Sequence, residues 1–280
     1  MPATSSPRAV SFTALRLAAL TGALALAGCV GGSGGGTASA AGGCAVPASI
    51  PDGDDDLALF TGSCATFTTF TEGGETWRIQ TFRNGSGPLF VVPHDDENAS
   101  LATAAAAIAA RGGTVTAVET GGRRFNGRID PNRNFDGGAL SCGKPGRSPR
   151  FVAAMLPGGR PIIALHTNSP GAASTGGSGT ISIRAPYAGT TAFPATGPLA
   201  KEDAMVILAS RNGPAGVQGV TRRLNAAGIN VMVETVDTTR TDCSLSHYAV
   251  ANGIPYANVE AAHGDGATQR AILDILLREM

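Results

Sequence analysis

The sequence predicts an α/β fold: a mixed, mostly parallel central sheet flanked by helices. Two observations predict it. From Ala65 onward, short strand-like runs alternate with helix-patterned runs, the order that layered α/β domains require. Three runs, Leu89–Val92, Pro161–Leu165 and Tyr256–Val259, are apolar or nearly so, as buried strands are. Each hands over to side chains able to bind a metal or move a proton: His94 and Glu97, His166, and Glu260. Side chains at the carboxyl ends of such strands converge on one crevice.

Taken in order, Ala65 to Thr71 and Thr76 to Phe82 alternate around Glu72-Gly73-Gly74-Glu75 and form a hairpin. Asn84-Gly85-Ser86-Gly87 turns the chain into a strand at 89–93. Asn98 or Ser100 caps a helix reaching about Ala110, which Gly112-Gly113 ends. A strand at 114–119 leads into an irregular loop at 121–138, rich in Arg and Asn. A helix is expected at 148–156, then strands at 161–165, 180–185 and 204–209. A helix at 215–227, a strand at 230–234, a helix at 244–252 and a strand at 256–259 come next. An amphipathic helix at 267–279 closes the domain.

The N-terminal segment reads as an address rather than as fold. Arg8 and Arg16 precede an apolar stretch, Leu17 to Ala27, too short to span a bilayer comfortably. Leu26-Ala27-Gly28-Cys29 has the form of a lipoprotein cleavage site, so 1–28 is expected to be a signal peptide and Cys29 the lipid-bearing residue. Ordinary cleavage near Ala38-Ser39-Ala40 is the alternative. Several acyl chains would anchor the protein firmly to a bacterial envelope membrane, facing periplasm or exterior. Residues 29–43, rich in Gly and Ser, are expected to form a flexible tether, and 44–280 a single globular domain that carries the candidate site residues. Cys44, Cys64, Cys142 and Cys243 remain, an even number in an oxidising compartment. Four Cys allow three pairings; Cys44–Cys64 and Cys142–Cys243 are favoured. Lysine plus arginine and aspartate plus glutamate both count 21, so no nucleic-acid footprint appears.

Two His and one Glu are a common protein set for a catalytic zinc, with a further carboxylate as base. His94-x-x-Glu97 leaves a strand on one turn, so both side chains can face the crevice. Asp95 and Asp96 between them could orient the ligands. The competing reading is an acidic cap at a helix N-terminus. In Asp130-Pro131-Asn132-Arg133-Asn134-Phe135-Asp136, Asn132 and Arg133 offer an amide and a planar guanidinium, a pair able to clamp a carboxylate.

Those motifs, in the order His94-x-x-Glu97, Asp130-x-Asn132-Arg133-Asn134-Phe135, Leu165-His166 and Asn258-Val259-Glu260, resemble the zinc carboxypeptidase family. The stretch from Arg124-Phe125 to Asp136 also resembles the succinylglutamate desuccinylase/aspartoacylase branch. The likeness spans about positions 75 to 280. It implies a carboxypeptidase-like fold and one Zn2+ held by His94, Glu97 and His166. It implies that Glu260 takes a proton from the attacking water and passes it to the leaving amine. Asn132 and Arg133 would hold a substrate carboxylate. Arg124, with Arg123 and Arg128 as rivals, would stabilise the oxyanion. No residue clearly matches the family's mobile Tyr; Tyr187 and Tyr248 are candidates, Tyr248 reading rather as core, and His247 and His263 read as structural. The expected substrate is a peptide or N-acyl amino acid with a free carboxylate.

Two other readings are weighed. Pro93-His94-Asp95-Asp96-Glu97 looks like a sugar de-N-acetylase signature, but the spacing differs and Asn132-Arg133 and Glu260 have no place in it. A non-catalytic envelope-peptide-binding lipoprotein would keep the crevice without needing the ligand set and Glu260.

Overall fold

β-Branched and aromatic residues alternate along Cys64–Glu72 (β1) and Glu75–Asn84 (β2), and Gly73 and Gly74 supply the left-handed turn between them. The pairing is antiparallel, with Phe70 opposite Trp77. A computed structural model of the chain describes residues 56–143, 147–158 and 161–280. The expected signal peptide at 1–28, Cys29, the tether at 29–43 and Cys44 lie outside the described residues. Cys64 is disulfide-bonded, and Cys142 is bonded to Cys243 with their Cα atoms 5.8 Å apart.

After α1 (Asp56–Leu59) and the hairpin, the elements are β3 (Leu89–Val92), α2 (Asn98–Arg111), β4 (Gly113–Val118), α3 (Pro149–Met155) and β5 (Ile162–Asn168). Then come β6 (Thr190–Phe193), β7 (Met205–Ser210), α4 (Pro214–Ala226), β8 (Asn230–Thr235), α5 (Leu245–Ala251), β9 (Tyr256–Ala262) and α6 (Gly266–Glu279). Among the described residues nine strands form one sheet, in the order β1-β2-β4-β3-β5-β9-β7-β8-β6. The expected mixed α/β architecture is present. Its parallel pairings are β4–β3, β3–β5, β5–β9 and β7–β8, while β1–β2, β2–β4, β9–β7 and β8–β6 are antiparallel. The parallel block is thus the centre of the sheet, where β3, β5 and β9 end together.

The strand expected at 180–185 is not formed; only an isolated bridge links Ser182 and Ala185. Its backbone groups are claimed elsewhere: Thr180 N–H by Asn168 Oδ1, Ile183 N–H by Glu202 O and Arg184 N–H by Ser182 Oγ. The edge strand is β6, just beyond Pro186, antiparallel to β8. α2 ends where expected. Gly112 has φ 76°, and a Cβ there would meet Ser86 O at 2.5 Å, so only Gly fits.

The sheet divides two layers. On one face α2, α4 and α6 bury Leu101, Ile108, Leu224, Ile272 and Leu276 against Phe90, Leu165, Val206 and Val259. On the other, α3 and α5 bury Phe151, Met155 and Leu245 against Trp77, Ile79 and Val91. Trp77 is fully buried, sits 4.4 Å from the Phe151 ring and donates its indole N–H to Glu72 O at 3.1 Å. Trp77→Ala therefore empties this layer and orphans a carbonyl. The expected loss is about 3–5 kcal/mol, read from urea unfolding; a loss below about 1 kcal/mol would contradict the packing described.

Candidate metal and catalytic site

Glu97 occupies the N-cap position of α2 but makes no side-chain cap bond. Its carboxylate turns into the protein, where its side chain is fully buried. Oε1 lies 2.9 Å from His94 Nδ1 and accepts from Arg124 Nη1 at 2.9 Å. Oε2 lies 3.2 Å from His166 Nδ1 and accepts from the Thr167 backbone N–H at 2.9 Å. The acidic-cap reading is therefore replaced: the residue is spent on three other segments. Burial opposes ionisation of Glu97, but attraction to His166 and hydrogen bonds from both His rings drive its pKa far below the usual carboxylate range.

Each partner reaches Glu97 for a local reason. Pro93-His94 leaves β3, so His94 points into the crevice beside Glu97. His166 is on β5, where Ile162, Ala164 and His166 share one face. Arg124 sits in a loop held by Asp95, whose Oδ2 accepts from Thr120 N–H, Thr120 Oγ1–H and Gly122 N–H at 2.7–3.0 Å. Asp95 thus positions the arginine loop, not the imidazoles, and Asp96 contributes to neither. The side chain that orients a ligand is Asp130: its Oδ1 lies 2.9 Å from His94 Nε2 and accepts from Asn132 N–H at 2.8 Å. Burial works against a charged His94, but the Asp130 and Glu97 hydrogen bonds raise its pKa.

These residues fit a metal. The donor atoms of His94, Glu97 and His166 lie within 4.8 Å of one another. Asp130 occupies Nε2 of His94, which leaves Nδ1 as the ligand nitrogen, the arrangement that fixes the tautomer of ligating imidazoles. Zinc suits two imidazoles and a carboxylate.

Glu260 lies beside them on β9, its Cα in register with His166. It is 2% exposed. Oε1 accepts from Asn258 Nδ2 at 2.9 Å, and Oε2 has no partner among the described residues. Burial chiefly, with Glu97 adding, raises its pKa against the pull of His166. Gln269 of α6 donates to His166 O at 2.8 Å and Val259 O at 3.3 Å, fastening both strands behind the site.

A cleft of about 460 Å³ opens over this centre. Arg124, Asn132 and Arg133 all line it; Arg123 and Arg128 do not. Arg123 instead donates its Nε–H to Thr120 O at 2.8 Å. Asn132 spends Oδ1 on Leu245 N–H at 3.1 Å, so its amide NH2 is the group left to donate. Tyr187 lines the cleft, whereas Tyr248 packs near Phe135 with ring centroids 6.3 Å apart. His247, expected to be structural, lines the cleft with Glu234 and Asp242, which sequence reading missed. His263 lies outside it and meets Thr167 Oγ1 at 2.7 Å. The signal for Asp130 was present in its cap position before Pro131; Glu234 and Asp242 carried none, because only the crossing of β8 and the α5 loop brings them together.

No protein-family model and no curated protein matches the sequence. Solved structures with a related chain course include a succinylglutamate desuccinylase/aspartoacylase from Rhodobacter sphaeroides: 15% identity, 79% of this chain, 66% of that one, TM-score 0.41. An aspartoacylase family protein from Mesorhizobium loti gives 12% identity, 79% of this chain, 68% of that one, and TM-score 0.44. Murein-tripeptide amidase MpaA from Escherichia coli O157 gives 14%, 72% of this chain, 86% of that one, and TM-score 0.38. The chain thus spans just under two thirds of the length of the first of these.

Because Glu260 holds its proton more tightly folded than unfolded, the stability it contributes is present at low pH. That stability is lost as pH rises through the raised value. Glu260→Gln removes this loss. In metal-free protein it should raise the melting temperature at pH 7, with a smaller gain at pH 4. An unchanged or lower melting temperature at pH 7 would contradict the burial argument.

Proposed function

We propose that this chain is a zinc-dependent hydrolase that cleaves a peptide or amide bond next to a free carboxylate. One observation carries the reading. The buried Glu97 carboxylate is bracketed by the Nδ1 atoms of His94 and His166, and the unpartnered Oε2 of Glu260 lies on the adjoining strand. His94, His166 and Glu260 line a cleft that also holds two arginines, with Glu97 buried behind it. Zinc at such a set supplies a Lewis acid that polarises a carbonyl and acidifies water.

The chain's own groups supply the rest. Glu260 accepts the proton of the attacking water and returns it to the leaving nitrogen; its raised pKa keeps it closer to the pH at which it works. Arg124, 40% exposed in its side chain, can turn from Glu97 to the oxyanion that forms on the scissile carbonyl. Arg133 and the Asn132 amide hold the substrate carboxylate and set which bond reaches Glu260.

The expected signal peptide and Cys29 support a lipid-anchored protein of a bacterial envelope, and hence a peptidoglycan-type peptide as substrate. The modest cleft supports a second reading, an N-acyl amino acid, since about 460 Å³ suits one small ligand.

Elemental analysis of the purified protein tests the centre: about one zinc per chain is expected, as a single three-residue site holds. The double change His94→Ala/His166→Ala should abolish it. A parent that takes up no zinc when offered it would end the hydrolase reading. Glu260→Gln should keep the zinc and lose about 10²–10⁴-fold in turnover; normal turnover would remove Glu260 as base. Arg133→Ala should raise KM for carboxylate-bearing substrates by about tenfold or more. An equal loss on the amidated substrate would count against the clamp.

A further inference from the structure

The first turn of α6 carries a buried amide to which the proposed chemistry gives no part. Gln269 is fully buried, on the helix face whose Ile272, Leu273 and Leu276 pack into the core. Its Nε2 donates to His166 O at 2.8 Å, to Ser100 Oγ at 3.0 Å and to Val259 O at 3.3 Å. These partners fix which end of the amide faces the strands, since an amide oxygen turned towards two carbonyl oxygens would be repelled. Oε1 has no partner among the described residues. A buried acceptor in that position costs stability, and an apolar side chain of the same length would avoid the cost. What distinguishes Gln269 from such a side chain is what its NH2 group holds.

Both carbonyls belong to peptide units of the site. The planar unit that carries His166 O carries the Thr167 N–H on its opposite edge, and that N–H donates to Glu97 Oε2 at 2.9 Å. The unit is gripped from both edges, by Gln269 and by Glu97, and a bond on the oxygen strengthens the N–H as a donor. Val259 O lies on the peptide that leads into Glu260. His166 and Glu260 are register partners on the paired strands, so one NH2 group joins β5 and β9 at the level where both enter the site. β5 has support from one strand only at that level, because β3 pairs with it from Ile162 to Ala164. Ser100, the third acceptor, stands in the first turn of α2 and donates its own N–H to Glu97 O at 2.8 Å.

The turn that presents Gln269 is fixed in its own right. Asp265 caps α6 and accepts from Thr268 N–H at 3.2 Å. Lys201 Nζ donates to Asp265 Oδ2 at 2.6 Å and to Thr268 Oγ1 at 2.8 Å.

We propose that Gln269 is a positioning residue: its amide fixes His166 and Glu260 relative to each other and, through the 166–167 peptide, holds the Glu97 carboxylate between its imidazoles. It lies behind the strands and touches no substrate. The proposal rests on the hydrolase reading for the roles of these three side chains.

The test compares the parent chain, Gln269→Met and Leu276→Ala, each titrated with Co2+ as a coloured substitute for zinc. Met matches Gln in length and has no N–H. Leu276→Ala loosens the same helix without touching either carbonyl, so it shows what lost packing does by itself. Gln269→Met should weaken metal binding about ten- to hundredfold and shift the visible absorption bands of the bound cobalt. On a substrate that the parent cleaves, kcat should fall about 10²-fold with KM little changed. Leu276→Ala should lower the melting temperature and keep the parent's bands and affinity. If Gln269→Met shows no cooperative melting, Gln269→Asn takes its place, since its amide is too short to reach both carbonyls. Parent-like bands and affinity in the Gln269 variant, or the same change in Leu276→Ala, would overturn the positioning role. Metal binding needs no turnover, so the two readings fail separately. A parent that binds cobalt, with bands that Gln269→Met shifts, but that cleaves no peptide or N-acyl amino acid keeps the positioning residue and loses the hydrolase. A parent that cleaves, with a Gln269→Met variant indistinguishable from it, keeps the hydrolase and loses the positioning residue.

Discussion

The buried carboxylate of Glu97 is the constraint on which the rest of the site depends. A carboxylate taken from water costs several kcal/mol unless charge and hydrogen bonds replace its solvent. Here the replacement comes from two imidazoles, the Thr167 N–H and Arg124. Those partners come from the turn after β3, from β5 and from the 120–124 loop, so satisfying one charge fixes three segments. The sacrifice is local. An acidic N-cap would ordinarily bond its own first turn, and α2 starts without that bond. A helix that forgoes its cap to bury an acid between two histidines is organised for the site before it is organised for itself.

The parts of this arrangement that were legible in the sequence share one property: they arise from local pattern. The apolar runs at Leu89–Val92 and Ile162–Leu165 announce buried strands, and the residues just after a buried strand lie at its carboxyl end. That is why His94, His166 and Glu260 could be placed in one crevice. Parity of cysteines pointed only to two disulfides; Cys142–Cys243 was favoured among three pairings because it joins two loops near the expected site, and it is present. The features that stayed hidden depend on crossings. Asp95 looked like a partner of the imidazoles, yet its carboxylate accepts from the N–H groups of Thr120 and Gly122. The 180–185 segment has strand-like residues, but side chains and Glu202 O take its N–H groups first. Glu234 reads as the polar end of an ordinary strand; only the order β9-β7-β8 carries it to the cleft wall.

The disulfide explains how loops can hold a site that strands alone would not complete. Cys142 and Cys243 lie 101 residues apart in sequence. Cys243 is the non-glycine residue at positive φ among the described residues, at 63°, a conformation L side chains adopt at a cost. Its carbonyl accepts from Phe135 N–H at 3.0 Å, and Asn132 Oδ1 accepts from Leu245 N–H at 3.1 Å. The bond and these two contacts lock the loop of Asn132 and Arg133 onto the start of α5. They set Arg133 and Asp242 face to face, so the cross-link maintains that end of the cleft.

The two ends of the cleft differ in enclosure, and the difference has a physical reason. At the Glu97 end every contact of that carboxylate lies between 2.9 and 3.2 Å, inside the fold and closed to solvent. At the far end Asp242 is 47% exposed, takes Arg133 at 3.0 Å and the Ser244 N–H at 2.9 Å, and His247 meets Thr241 Oγ1 at 3.1 Å. Bond-making chemistry rewards groups fixed before the substrate arrives, because reorganisation at the moment of reaction raises the barrier. The enclosed end, with its side chains already fixed, is therefore the one suited to the bond-making that the proposed reading assigns to it.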